Sequence, residues 1–158
     1  MRIIHELHDP PAVAATRVLL LPGAYNQPQD FVQAGFVGAV RERNLPLDLV
    51  LVDVTLPHLT DRTLLARLHH EVVLPARAGG CQTIWIAGIS LGGYIALIYA
   101  DRYPGDVDGL CLLAPYLGNR IVTGEIERAC GVAAWNPGEI APDDEERRLW
   151  RFIKDQRD

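Results

Sequence analysis

The sequence lacks the features that would place the protein in a membrane, on a nucleic acid or outside the cell. No segment approaches the apolar length that a bilayer-spanning helix needs, which excludes a transmembrane protein. There is no dense patch of Lys and Arg, and the formal net charge of −5 argues against a nucleic-acid-binding surface. Residues 1–15 carry His5, Glu6, His8 and Asp9 where a signal peptide has its apolar core, so we expect a cytoplasmic protein.

Cysteine is also scarce, and its distribution indicates neither a disulfide framework nor a metal site. The three cysteines, Cys81, Cys111 and Cys130, are odd in number and lack the close spacing of metal ligands. Cys111 lies in the apolar run of residues 110–113, which is typical of a core strand. We therefore expect buried, reduced thiols, and we expect neither a metal nor a cofactor.

What is present is the pattern of one α/β domain. A chain of 158 residues, 49% of them hydrophobic, can form a single domain with a sizeable core. Short apolar runs alternate with helical patterns, which predicts a mostly parallel sheet with helices on both faces. Strands are predicted at residues 17–21, 48–54 and 109–114, at the stretch that begins at Thr83, and as a short edge at residues 3–7. Helices are predicted at residues 29–43, from about residue 61 to Pro75, from Leu91 to about Tyr103, at residues 123–130 and after Pro142.

The most informative motif is Gly88-Ile89-Ser90-Leu91-Gly92, which stands between a predicted strand and a predicted helix. This context is that of a nucleophile elbow, a turn that holds a serine in strained dihedral angles with its hydroxyl projecting from the sheet. Gly88 and Gly92 lack the Cβ atoms that would collide in so sharp a turn. An ordinary serine turn is the alternative, and the flanking strand and helix favour the nucleophile.

The chain resembles the α/β-hydrolases, and specifically the small bacterial hydrolases of that fold. The resemblance rests on residues 20–25 after the first buried strand, on residues 88–93 and on residues 112–118 at the end of the following strand. It implies that Ser90 is the nucleophile and that the backbone N–H of Leu91 is one donor of an oxyanion hole. It also implies that Ala24 or its neighbour Tyr25 supplies the second donor.

The activity implied by the resemblance is that of an esterase-like serine hydrolase. Such an enzyme cleaves a carboxylic ester, thioester or amide through an acyl-enzyme, here on Ser90. The expected partner is a small-molecule acyl substrate. The sequence leaves open whether the protein forms a homo-oligomer. Within one domain of residues 1–158, residues 117–156 correspond to a lid-like insertion. His58, after the strand at 48–54, and Tyr116 are candidate pocket residues.

The sequence has no histidine after Ser90, although the family places an acid and then a histidine after its nucleophile. The chain could be the N-terminal portion of a longer protein, which we favour, because the last predicted helix has no stop signal. It could instead be a divergent member without catalysis, or another chain could supply the base. The alternative function is therefore a non-catalytic or truncated member that binds a small molecule or a partner.

Overall fold

The computed structural model of the protein describes residues 1–8, 14–54 and 63–156, and it contains two compact units. The first unit is Met1–Pro115 and the second is Tyr116–Asp158. The sequence-based prediction of a single domain with a lid-like segment at about residues 117–156 stays a prediction.

The first unit is built on a five-stranded sheet. Its strands are β1 (Ile3–Glu6), β2 (Thr16–Leu21), β3 (Leu47–Val52), β4 (Thr83–Ile89) and β5 (Gly109–Leu113). They lie in the order β1-β3-β2-β4-β5, with β1 antiparallel at one edge and the other four strands parallel. This arrangement confirms the predicted mostly parallel sheet. The register sets Leu21 beside Gly88, so the carboxyl ends of β2 and β4 lie side by side.

Helices cover both faces of this sheet, as predicted. They are α1 (Pro28–Gln33), α2 (Phe36–Glu42), α3 (Leu64–Leu68), α4 (Leu74–Ala78) and α5 (Leu91–Arg102), with a π-helical turn at His69–Val73 between α3 and α4. Side chains alternate along each strand, so one face carries Leu19 and Val50 and the other carries Leu20 and Leu49. The first face packs against α3, α4 and α5, and the second packs against α1 and α2.

Two helix boundaries differ from the sequence-based expectation. The helix predicted at residues 29–43 is interrupted by Gly35, whose φ of 83° lies in the left-handed region that glycine adopts readily. The predicted stop at Pro75 is wrong, because the chain stays helical to Ala78. Pro75 lies in the first turn of α4, where its missing N–H is less costly, and the π-helical turn before it shifts the hydrogen-bond ladder.

The second unit holds α6 (Arg120–Arg128) and α7 (Glu145–Asp155), close to the two helices predicted there. Its apolar cluster is formed by Val122, Ile126 and Trp135, with Trp150 packed against it. The indole Nε1–H of Trp150 donates to the carbonyl oxygen of Leu117 at 2.7 Å. No helix in the described ranges combines the length and the apolar character that crossing a membrane requires.

The cysteines correct one expectation. Cys81 is buried, but Cys111 and Cys130 are exposed. The prediction of a buried thiol is therefore wrong for both. Cys111 is exposed because only one face of β5 is covered by a helix in the described part of the chain. Cys111 and Leu113 alternate with half-buried residues along that strand and point to the other face. Cys130 is exposed just beyond the end of α6, with a φ of 60°.

Asp108 immediately precedes β5 and forms a hydrogen bond with the start of β4. Substitution of Asp108 should therefore change how the free energy of unfolding depends on pH. Its Oδ2 accepts a hydrogen bond from the N–H of Ile84 at 2.7 Å and another from Nη2 of Arg77 at 2.8 Å. These two bonds hold the pKa of Asp108 below its usual value of 3.8. Because the folded pKa is depressed, the stabilisation is complete above the unfolded pKa and is lost as the pH falls through the folded one.

We expect Asp108→Asn to lower the melting temperature at pH 7 by a few degrees. The free energy of unfolding of this variant should also decrease less as the pH is lowered from about 5 to about 2. Urea unfolding across that pH range measures both effects. Asp143→Asn, which alters an exposed carboxylate elsewhere in the chain, should leave the pH profile unchanged. An identical profile for both variants would contradict the assignment.

Candidate active site

Ser90 stands at the junction of β4 and α5, in the strand–turn–helix context that the sequence predicts. Its φ of 51° and ψ of −109° form a combination that L-amino acids rarely adopt. The backbone is held from both sides: the N–H of Ser90 donates to the carbonyl of Leu113 at 3.0 Å, and its carbonyl accepts from the N–H of Tyr94 at 3.1 Å. Ser90 is exposed, and it is the only serine of the sequence.

Three glycines around Ser90 are required by close backbone approaches. A Cβ atom at Gly88 would lie 2.3 Å from the carbonyl oxygen of Gly92, and one at Gly92 would lie 2.1 Å from the carbonyl oxygen of Leu21. A Cβ atom at Gly93 would lie 2.8 Å from the Cβ of Pro115. The contact of the turn with the end of β2 therefore requires a glycine at position 92, and the glycines at positions 88 and 93 allow the turn to pack on itself and on Pro115.

The loop after β2 lies beside Ser90. An ideal Cβ on Gly23 would lie 3.9 Å from the Cβ of Ser90. The N–H of Asn26 donates to the carbonyl of Gly23 at 3.1 Å, which closes a tight turn with Ala24 and Tyr25 at its tip. Tyr25 is 92% exposed. Both candidate second donors therefore directly follow Gly23, the residue of this loop that approaches the serine.

Leu91 begins α5 directly after Ser90. The first N–H groups of a helix have no acceptor within the helix, and they lie at the positive end of its dipole. The helix start directly follows Ser90 in the chain, and the turn at residues 23–26 begins at Gly23, which approaches Ser90. The assignment of Leu91 and of Ala24 or Tyr25 as oxyanion donors stays a prediction.

A cavity of about 120 Å³ opens beside this turn. Its walls come from the loop after β2, from α1 and the residue that follows it, from the start of α2 and from the end of β4. They consist of Pro22, Gly23, Asn26, Asp30, Phe31, Ala34, Phe36 and Ile89. Phe31 and Phe36 meet edge to face, with ring centroids 5.2 Å apart. Sequence reasoning missed this cavity, because no short motif joins segments so far apart along the chain. The capping box between Gln27 and Asp30 marks only the start of α1, which forms one of the walls.

His69 belongs to a cluster at the other end of α5. Its Nδ1 lies 2.9 Å from Oδ2 of Asp106 and 3.1 Å from the hydroxyl of Tyr99, and its ring stacks on Tyr103 at 4.1 Å. Burial, and next the charge of Asp106, raise the pKa of Tyr99. Tyr99 follows Ser90 by about 13 Å of helical rise, so His69 is remote from the serine.

The other described histidines are also remote from Ser90. His5 lies on the edge strand β1, which β3 and β2 separate from β4. The backbone N–H of His8 donates to Asp48 at the amino end of β3, the end opposite to Ser90. His70 is exposed beside His69. None of the histidines in the described ranges therefore lies at the serine, and His58 lies outside the described residues.

Tyr116, the other predicted pocket residue, belongs to the second unit. Its hydroxyl donates to Oε1 of Glu146 at 3.4 Å, and it is 45% exposed. Its role in a pocket stays a prediction. Within the described ranges, no three or more His, Cys, Asp or Glu side chains are grouped so that they could hold a metal ion.

Comparison with known proteins gives a family model and a set of similar folds. Residues 68–149, just over half of the chain, match the model of the S33 serine aminopeptidase family of hydrolases. Comparison with curated protein sequences finds no match.

Among solved structures, the chain is similar to the S-formylglutathione hydrolase of Staphylococcus aureus, with a TM-score of 0.54, 11% identity, and coverage of 88% of this chain and 54% of that one. It is similar to MenH of S. aureus (TM-score 0.51, 14% identity, 82% and 49% coverage). It is also similar to a probable hydrolytic enzyme of Pseudomonas aeruginosa PAO1 (TM-score 0.54, 18% identity, 96% and 55% coverage). At these identities the likeness shows the α/β-hydrolase fold, and the chain spans about half the length of these structures.

The contact between Gly92 and Leu21 can be tested by adding one methyl group. Gly92→Ala should lower the free energy of unfolding by about 3 kcal/mol or more, because the new Cβ meets backbone atoms that cannot move aside. Gly124→Ala is the matched control, since a Cβ at that helical glycine meets nothing within 4 Å. The control should stabilise the protein by about 0.5–1 kcal/mol. Urea unfolding of both variants measures the difference, and equal effects would contradict the close approach.

Proposed function

This chain belongs to the S33 serine aminopeptidase family of α/β-hydrolases, and from that premise we propose that Ser90 is the nucleophile of a serine hydrolase acting on an ester, thioester or amide. The observation that carries the proposal is the backbone of Ser90, at φ 51° and ψ −109° between β4 and α5. Such strain persists only where the surroundings impose it, and it is frequent at catalytic residues. Here the glycines at positions 88 and 92 permit the close backbone packing that surrounds the turn.

In the proposed reaction, Oγ of Ser90 attacks the carbonyl carbon of the substrate while a base accepts the hydroxyl proton. The new Oγ–C bond forms, the bond from carbon to the leaving oxygen, sulfur or nitrogen breaks, and the leaving group takes up the proton. Water then attacks the acyl-enzyme, which releases a carboxylic acid and restores the hydroxyl of Ser90. The described residues hold no histidine at Ser90, so the base is not assigned to any of them.

Negative charge develops on the carbonyl oxygen during both attacks. The N–H of Leu91 and that of Ala24 or Tyr25 are the proposed donors to this oxygen. A donor of this kind typically contributes about 3 kcal/mol to transition-state stabilisation, because it is already oriented when the charge appears. The start of α5 adds the positive end of its dipole at the same place.

A fluorophosphonate probe, which reacts with activated serines, tests the proposal. We expect the protein to be labelled at Ser90, and we expect Ser90→Ala to reduce labelling to background, because the sequence has no other serine. Cys111→Ala is the control, since it removes an exposed thiol on the neighbouring strand and should leave labelling intact. Undiminished labelling of Ser90→Ala, located by mass spectrometry, would refute the assignment.

Ligand binding without turnover is the second candidate function. It is favoured by one observation, namely that none of the histidines in the described part of the chain lies at Ser90. Removal of a triad member typically lowers turnover by about 10⁴-fold. Hydrolysis of p-nitrophenyl acetate separates the two candidate functions. A hydrolysis rate that is abolished by Ser90→Ala favours the hydrolase. A hydrolysis rate equal to background, together with retained ligand binding, favours binding without turnover.

A further inference from the structure

We infer that Asp30 is a positioning residue of the proposed hydrolase: its carboxylate holds the turn at residues 23–26 beside Ser90. The inference rests on the function proposed above, in which an N–H group of Ala24 or Tyr25 in this turn stabilises the charge on the carbonyl oxygen. Hydrogen bonds connect Asp30 to the turn, and a close approach connects the turn to Ser90.

The tip of this turn has little packing to hold it in place. Tyr25 is 92% exposed, and Asn26 and Gln27 are exposed as well. Gly23 before the tip and Pro28 after it are buried. The backbone between these two buried residues therefore depends on hydrogen bonds for its conformation.

The carboxylate of Asp30 supplies two of these hydrogen bonds. Its Oδ2 accepts one from Nδ2 of Asn26 at 2.9 Å and one from the N–H of Gln27 at 3.0 Å. The bond from Asn26, and next that from Gln27, hold the pKa of Asp30 below its usual value. The ionised carboxylate therefore binds these donors more strongly than the protonated form does. One carboxylate oxygen thus holds the last residue of the turn and the residue that follows it.

Asn26 transmits this restraint to the residue that approaches Ser90. Its backbone N–H donates to the carbonyl oxygen of Gly23 at 3.1 Å, and its Oδ1 lies 3.1 Å from an ideal Cβ on Gly23. The same Cβ position lies 3.9 Å from the Cβ of Ser90. The backbone of Gly23 is therefore close to both side chains, so a shift of Asn26 would move the turn relative to the serine.

Helix α1 provides a fixed support for the carboxylate. Phe31, the residue after Asp30, is 4% exposed and belongs to the apolar cluster that includes Leu20 and Leu51 of the sheet. The N–H of Asp30 also donates to the carbonyl oxygen of Gln27 at 3.0 Å. Because the core fixes the main chain next to Asp30, the side chain of Asp30 can hold a turn that has little packing of its own.

The position of the turn matters because an oxyanion donor is effective only when it is already oriented toward the developing charge. Removal of one such donor typically lowers turnover by about 100-fold or more. Displacement of a catalytic group by about 1 Å can cost about 100-fold. A turn that retains its N–H groups but loses its restraint from Asp30 should therefore lose part of this contribution.

Inactivation by a fluorophosphonate probe, resolved into the affinity constant KI and the maximal rate kinact, tests the inference. In this reaction the Oγ–P bond forms, the P–F bond breaks, fluoride leaves, and the hydroxyl proton passes to a base or to water. Negative charge develops on the phosphoryl oxygen, which takes the place of the carbonyl oxygen of a substrate. We expect Asp30→Ala to lower kinact about tenfold to 100-fold and to change KI by less than about threefold. Mass spectrometry of the full chain at a series of probe concentrations measures both constants.

Asp30→Asn and Gln29→Ala are the controls. Asn at position 30 retains an oxygen that can accept both hydrogen bonds, so its kinact should stay within about threefold of the unmodified value. Gln29 lies in the same helical turn, with its side-chain amide beside the guanidinium group of Arg2, so Gln29→Ala should leave kinact unchanged. Urea unfolding establishes that each variant is folded under the assay conditions.

Asn26→Ala tests whether Asp30 acts through Asn26, and this exposed position allows the test even where Asp30→Ala does not fold. Asn26→Ala should also lower kinact, because it removes the hydrogen bond to Asp30 and the side-chain contact with Gly23. The double variant should lose no more than about twofold beyond Asp30→Ala alone, since both substitutions break the same connection. A loss equal to the product of the two single effects would overturn the inference, because the two side chains would then act independently.

The outcomes separate this inference from the proposed function. Labelling at Ser90 with the same kinact in Asp30→Ala as in the unmodified protein overturns the positioning role and leaves the nucleophile in place. A rise in KI with an unchanged kinact, or an equal loss of kinact in Gln29→Ala, overturns the positioning role as well. Labelling that Ser90→Ala leaves undiminished overturns the proposed function and this inference together.

Discussion

The approach of Gly92 to the backbone of Leu21 is the contact on which the rest of the site depends. It lets α5 begin directly at the carboxyl end of β2, so that the turn at Ser90 and the loop after β2 meet. A side chain at position 92 would separate them, since the nearest backbone oxygen lies 2.1 Å from where its Cβ would be. The strained dihedral angles of Ser90 follow from the same packing, because Gly88 and Gly92 also touch each other across the turn.

The two ends of the sheet serve different purposes. The carboxyl ends of β2 and β4 carry Ser90, the start of α5, the turn after β2 and a cavity lined by Gly23 and Ile89. At the amino ends, charged side chains hold the strands together: Arg17 pairs with the buried Asp48 at 3.2 Å, and Arg77 pairs with Asp108. The ion pairs therefore lie at one end of the sheet, and the strained turn and the open cavity lie at the other.

Local patterns predicted those parts of the structure that depend on residues close in the chain. The strand, glycine turn and helix around Ser90 lie within one stretch, and each element has a local cause in apolar runs and missing Cβ atoms. Pro75 and Cys111 show where local reasoning fails. The prediction that the helix stops at Pro75 did not consider a π-helical turn, which accommodates the proline. The predicted burial of Cys111 required a helix on that face of β5, and that face carries none in the described part of the chain.

The sequence by itself determined the fold class and singled out Ser90, because hydrophobic periodicity and a glycine motif are written in consecutive residues. Only the tertiary structure decided what surrounds that serine. The cavity joins Phe31 and Phe36 to Ile89, and the cluster around His69 joins it to Tyr99 and Asp106 at the far end of α5. Such neighbourhoods arise from the register of parallel strands and the packing of helices on them, which no short segment encodes.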